Sequence, residues 1–178
     1  MSKRLLACAM LLMSTNLHAA NEAQDDTLKL APTMTISVDY VPASNDMYGI
    51  TLAPYHYDRD YSDWGYYIGY ARSKDETFEV EEPGEAFTRE TLWRFGLSYS
   101  LTRHFSVYGG ASVYIAELHS TTNIMPLCTD CKPVWEKDDD KNWGGEVGLR
   151  YMTDMGLMIG AGYNTATESA VISIGFAM

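Results

Sequence analysis

From Trp93 to Ile115 the chain reads WRFGLSYSLTRHFSVYGGASVYI, and apolar or aromatic residues occupy alternate positions. Trp93, Phe95, Leu97 and Tyr99 precede a short polar turn, Leu101-Thr102-Arg103-His104; Phe105, Val107, Gly109, Ala111, Val113 and Ile115 follow it. Between them stand Arg94, Gly96, Ser98 and Ser100, then Ser106, Tyr108, Gly110, Ser112 and Tyr114. A period of two over adjacent runs of about ten residues predicts an antiparallel hairpin. A soluble sandwich would bury the bulky face and leave charge outside. Here the charge shares its face with glycine and serine, which suits a crowded polar interior, while the bulky face suits lipid. The hairpin reads as part of a transmembrane β-barrel.

The same alternation predicts a first strand over 33–41, with Met34, Ile36, Val38 and Tyr40 outward and Thr35, Ser37 and Asp39 inward. Further strands are expected over 47–55, 64–72, 142–151, 157–163 and 170–178. With the central hairpin this makes eight, each near the ~9–11 residues that cross a bilayer at a tilt. The predicted fold is all-β, an eight-stranded antiparallel up-and-down transmembrane β-barrel, and a barrel of that size is filled by side chains. Ser73 to Ala86 and Glu117 to Lys141 are expected as long external loops, both acidic; His56 to Asp63 is a polar connection on the opposite side.

The start of the chain fits export. Met1 to Arg4 is basic, Leu5 to Met13 is apolar but too short to span a membrane, and Leu17-His18-Ala19-Ala20 offers small residues for cleavage. The expected organisation is a signal peptide over 1–20, a flexible segment over 21–32 and a barrel domain over 33–178. Loss of Lys3 and Arg4 would take the net charge from −11 to −13. So acidic a chain lacks the basic footprint that nucleic-acid binding requires.

Asp39, Arg94, Glu146 and Arg150 fall on inward positions, with Glu90 near them. Buried charges must pair, so an Arg–carboxylate bridge is expected between Glu146 and Arg94 or Arg150. A salt-bridged plug is the simpler reading and a gated ion path the alternative. Trp64, Trp93 and Trp143 are expected near outward strand ends, with Tyr99, Phe105, Tyr151 and Phe176 toward the opposite ends, as two interfacial aromatic girdles. Cys128 and Cys131 would form a short-loop disulfide in an oxidising compartment, with free thiols, and then redox or zinc roles, as alternatives. Glu136 with Asp138-Asp139-Asp140 could gather divalent cations, but reads first as a solvated charged loop. Glu117 and His119, followed by Ser120, Thr121 and Thr122, hold the carboxylate–histidine–hydroxyl order of acyl transfer. No metal ligand set or cofactor site is expected.

The export signal, the GxSY wording at Gly96–Tyr99, YGGAS at Tyr108–Ser112, repeated Gly-Leu steps and the last strand resemble the small outer-membrane β-barrel family of OmpA transmembrane-domain and OmpX type. The resemblance implies insertion by the outer-membrane assembly machinery and contact with outer-membrane lipid and lipopolysaccharide in a bacterial cell. It departs at the end of the chain, where Gly175-Phe176-Ala177-Met178 replaces the usual terminal aromatic residue. The function expected is non-enzymatic: a filled barrel with a structural or surface-interaction role through acidic external loops, its ligand unspecified. The alternative is a lipid A-modifying acyl hydrolase or acyltransferase using Glu117 and His119. A soluble lipocalin-like carrier is the third class, and the charged inward face argues against it.

Overall fold

The computed structural model describes residues 34–53, 64–80, 84–122 and 134–178. They form strands β1 (Thr35–Pro42), β2 (Asp46–Ala53), β3 (Trp64–Ser73), β4 (Glu76–Phe78), β5 (Ala86–Ser100), β6 (Phe105–Thr122), β7 (Val134–Met152), β8 (Leu157–Asn164) and β9 (Ser169–Ala177), with no helix among the described residues. Each strand pairs antiparallel with its sequence neighbour except that β3 pairs with β5, while β4 pairs only with β5. β1 pairs with β9 from Thr35↔Ala177 to Tyr40↔Ile172. Reciprocal backbone bonds between Met34 and Met178, 3.2 and 2.7 Å, extend that seam. The result is a closed eight-stranded up-and-down barrel, with no free edge along the closed part. The end where β1 begins and β9 finishes is called the near end below.

Side-chain parity follows the pleat. Thr35, Ser37 and Asp39 on β1 and Val171 and Ser173 on β9 are buried inside, while Val38, Ile50, Phe95, Leu97, Val147, Ile159 and Ile174 lie exposed outside. Val147 is 65% and Ile174 58% exposed. Water would not tolerate so continuous an apolar girth.

The interior is layered. At the near end Tyr67 and Tyr108 pack edge-to-face, centroids 5.3 Å apart, beside Ala53. A polar layer around Asp39, Arg94 and Glu146 lies further in. Toward the far end Val41, Met47, Ala71, Leu92 and Val171 form a buried apolar cluster. The alternation alone predicted a polar interior, so this apolar layer is a finding of the structure. Glycine makes the tyrosine layer possible: a Cβ on Gly148 would stand 2.4 Å from Tyr108 Cζ. At the near-end turn Gly156 adopts φ 85°, where a side chain would be strained, and its N–H bonds Thr153 O at 3.0 Å.

Several expected boundaries are corrected. Glu117 to Lys141 is not one long loop: β6 runs on to Thr122 and β7 begins at Val134. Asp138, Asp139 and Asp140 therefore belong to a strand, opposite Leu118, Glu117 and Ala116. Likewise β5 begins at Ala86, and Ser73 to Ala86 contains β4. Ladder hydrogen bonds to a neighbouring strand sustain extended backbone where the hydrophobic alternation has already ceased. The expected signal peptide and flexible segment, Cys128 and Cys131 and the His56 to Asp63 connection lie outside the described residues.

Tyr108 ties the fold to a specific glycine. Gly148→Ala should lower stability toward urea by ~1–3 kcal/mol through overpacking, and in a Tyr108→Ala background that cost should vanish. A double-mutant cycle on the folded barrel checks both.

Candidate functional site

The polar layer is built on Arg94. β5 aims this residue inward, and its side chain is only 1% exposed. Nη1 donates to Glu146 Oε1 on β7 at 3.1 Å, and Nη2 donates to Thr51 Oγ1 on β2 at 2.7 Å and to Asp39 Oδ2 on β1. Asp39 also accepts from Thr51 at 2.6 Å, Ser173 at 2.6 Å and Ser37 at 3.3 Å. Glu146 accepts from Asn164 Nδ2 at 3.3 Å; Asn164 Oδ1 accepts in turn from Ser112 Oγ at 3.1 Å. One guanidinium thus links three strands across the lumen, while hydroxyls complete the shell of Asp39 and the Asn164 amide adds to that of Glu146.

Arg150, expected as a member of the same charge network, sits apart. It is buried, but its guanidinium lies over the Tyr108 and Tyr67 rings, 4.1 and 5.0 Å from their centroids. No ion pair joins it to Glu146 among the described residues, so Arg94 is the expected Arg–carboxylate bridge. Tyrosine faces supply the compensating negative potential instead. Thr51, Ser173 and Asn164 were missed as plug residues, although alternation already placed Thr51 and Ser173 inward.

Outside, aromatic rings gather at two levels. Trp64 packs on Tyr99 (4.8 Å between centroids) and Phe105 on Tyr151 (4.9 Å), with Phe176 paired across the β1–β9 seam at the same near end. Tyr40 with Tyr48 (5.4 Å) and Tyr70 with Trp93 (4.6 Å) lie further up, where Trp93 and Trp143 flank Val113 in register. Trp64 therefore groups with Tyr99, Phe105, Tyr151 and Phe176, not with Trp93 and Trp143. Trp93 also lies in mid-strand, because β5 continues past it.

Beyond the upper ring β5, β6 and β7 continue as a projection. On the face continuing the barrel exterior, Arg89 donates to Asp75 at 2.8 and 2.7 Å, and Arg72 adds a bond at 3.1 Å. Lys137 meets Glu117 at 2.6 Å and Lys141 meets Asp139 at 2.6 Å. His119, which bonds Glu117 at 3.2 Å, stacks on Phe87 with centroids 4.5 Å apart. Phe87 in turn packs on Trp135 at 5.6 Å. Glu117 and His119 are thus brought together, well inside β6. No hydroxyl is hydrogen-bonded to His119 among the described residues; Thr121 Oγ1 is engaged by Glu85, accepting from its N–H at 2.7 Å. The pair joins the cross-strand packing of Phe87 and Trp135. Among the described residues no group of three or more His, Cys, Asp or Glu could hold a metal ion.

Two outcomes follow from these charges. Arg94→Ala should destabilise the barrel by ~3–5 kcal/mol, because it strands two buried carboxylates; Asp39→Asn/Arg94→Met/Glu146→Gln should recover much of that loss in urea titrations. Arg89 holds the Asp75 carboxyl well below the usual carboxylate range, with Arg72 assisting. A depressed pKa contributes stability above the unfolded value, near ~4, that is lost as pH falls below it. Hydrogen exchange at Glu76–Phe78 should therefore quicken on acidification relative to Asp75→Asn, in which that difference is absent.

No protein-family model matches the sequence, and no curated protein matches it. Solved structures do resemble the fold. Ail, the attachment invasion locus protein of Yersinia pestis, solved with the heparin analogue sucrose octasulfate, superposes with a TM-score of 0.52 at 14% identity, over 81% of this chain and 93% of that one. The N-terminal β-barrel domain of Pseudomonas aeruginosa OprF gives 0.41 at 15% identity, over 82% and 96%. Neisserial surface protein A gives 0.35 at 10%, over 80% and 90%. The chain has the fold of Ail, that of the small eight-stranded outer-membrane barrels.

Proposed function

We propose that this protein is an integral barrel of the bacterial outer membrane, non-conducting and non-enzymatic, acting at the cell surface through its β5–β6–β7 projection. The observation that carries the reading is strand length. β6 and β7 have 18 and 19 residues, whereas β1, β2 and β8 have 8 each. About 9–11 residues cross a bilayer when tilted, so the outer half of the β6–β7 hairpin stands beyond the membrane. The apolar girth between two aromatic rings supports residence in lipid, since aromatic belts mark the two interfaces. The layered interior supports a plug: tyrosines, an ion-paired layer and an apolar cluster fill the lumen in succession.

Asn21 onward would follow signal-peptide cleavage, and Cys128 and Cys131 would form a disulfide. Ail was solved with a sulfated saccharide. The present projection carries Glu136, Asp138 and Asp140 along one face, which repels a polyanion, so its partner differs in charge.

The test separates membrane residence from surface role. Replacing Ala116 to Asp140 by an Asn-Gly turn should leave a detergent-resistant band that shifts on boiling, because belt and plug are untouched. The same variant should lose the binding of intact cells to their target surface. A wild-type protein found in the soluble periplasmic fraction overturns the first part; unchanged cell binding overturns the second.

A further inference from the structure

The projection has an open edge. β7 pairs with β6 along its whole length, from Thr122↔Val134 to Phe105↔Tyr151, but with β8 only from Glu146 to Met152. The base of the gap is closed by Asn142 Nδ2 donating to Ala166 O at 2.8 Å and by Thr165 N–H donating to Gly145 O at 2.8 Å. Above it, Val134 to Lys141 has no strand on its second side among the described residues. Such an edge is a row of unused backbone donors and acceptors, a template for one more strand.

The two faces of this edge differ in charge compensation. On the exterior face every carboxylate of the β6–β7 ladder has a cation: Glu117 has Lys137, with His119 hydrogen-bonded beside it, and Asp139 has Lys141. On the face toward the barrel mouth Glu136, Asp138 and Asp140 stand opposite Ser120, Leu118 and Ala116, with no cation among the described residues. Three like charges at every second position repel one another, and no ion pair offsets them among the described residues. A second copy pairing here would bring acid against acid, so charge excludes it. A strand added in antiparallel register places its own alternate side chains directly opposite these three.

We propose that the Val134–Lys141 edge captures an extended peptide by strand addition, and that lysine or arginine at alternate positions is the recognised feature. Those cations meet Glu136, Asp138 and Asp140. The intervening side chains lie on the face of Lys137 and Lys141, which already supply the positive charge there. This rests on the projection acting outside the membrane and adds the chemistry of its partner.

The experiment uses the full chain folded in detergent micelles and a labelled seven-residue peptide in which threonine and lysine alternate. Controls are a peptide of identical composition with its lysines contiguous, and the alternating peptide N-methylated at every second amide. The alternating peptide should bind about tenfold more tightly than the contiguous one, N-methylation should abolish binding, and E136Q/D138N/D140N should weaken it about tenfold while retaining the heat-shifted band. Equal binding of the alternating and contiguous peptides overturns the proposal in favour of plain charge attraction. Competition by Mg²⁺ far beyond that of equal ionic strength overturns it in favour of a cation site, and self-association that the peptide cannot displace overturns it in favour of pairing between copies. Cell binding lost with the whole projection but kept in E136Q/D138N/D140N leaves the surface role standing and removes this inference alone.

Discussion

The rest of this barrel depends on the two ion pairs of Arg94, whose Nη groups are engaged although its Nε has no hydrogen-bond partner among the described residues. Eight strands close around a space that cannot collapse further, so the interior must be filled by side chains that suit one another. A buried guanidinium is costly unless its charge and its donors are both met. Here Glu146 meets one end of the fork, and Asp39 with Thr51 meets the other. Planar geometry allows that double engagement, which a lysine ammonium would not reproduce. Because the partners come from β1, β2 and β7, the ion pairs also fix the register of distant strands relative to one another.

The layers on either side keep water from this centre. Tyr67 and Tyr108 fill the near end, and Arg150 rests on their faces without a carboxylate of its own. The Tyr67 hydroxyl has no hydrogen-bond partner among the described residues, so the residue acts through the volume and the face of its ring. Val41, Met47 and Leu92 close the far end.

The projection is the part that differs most from a minimal barrel. Its exterior face is internally compensated by ion pairs and packed by the His119–Phe87–Trp135 cluster, while its mouth face is left acidic beside an open edge. A surface salt bridge contributes little stability by itself. The contrast between the faces therefore bears on what can approach, more than on how firmly the hairpin holds.

Hydrophobic alternation by itself determined the strand class, the number of barrel strands and the facing of Asp39, Arg94, Glu146 and Arg150. Parity is a local property: successive side chains point to opposite sides whatever the rest of the chain does. What only the tertiary structure decided is everything set by register between distant strands. That Arg94 takes both Asp39 and Glu146, that Arg150 turns to tyrosines, and that Trp64 shares a level with Tyr99 all depend on which residues closure brings opposite. The lengths of β5, β6 and β7 were hidden for a related reason. Outside the apolar belt both faces meet water, so the alternation that marks a strand disappears while the ladder of backbone hydrogen bonds carries on.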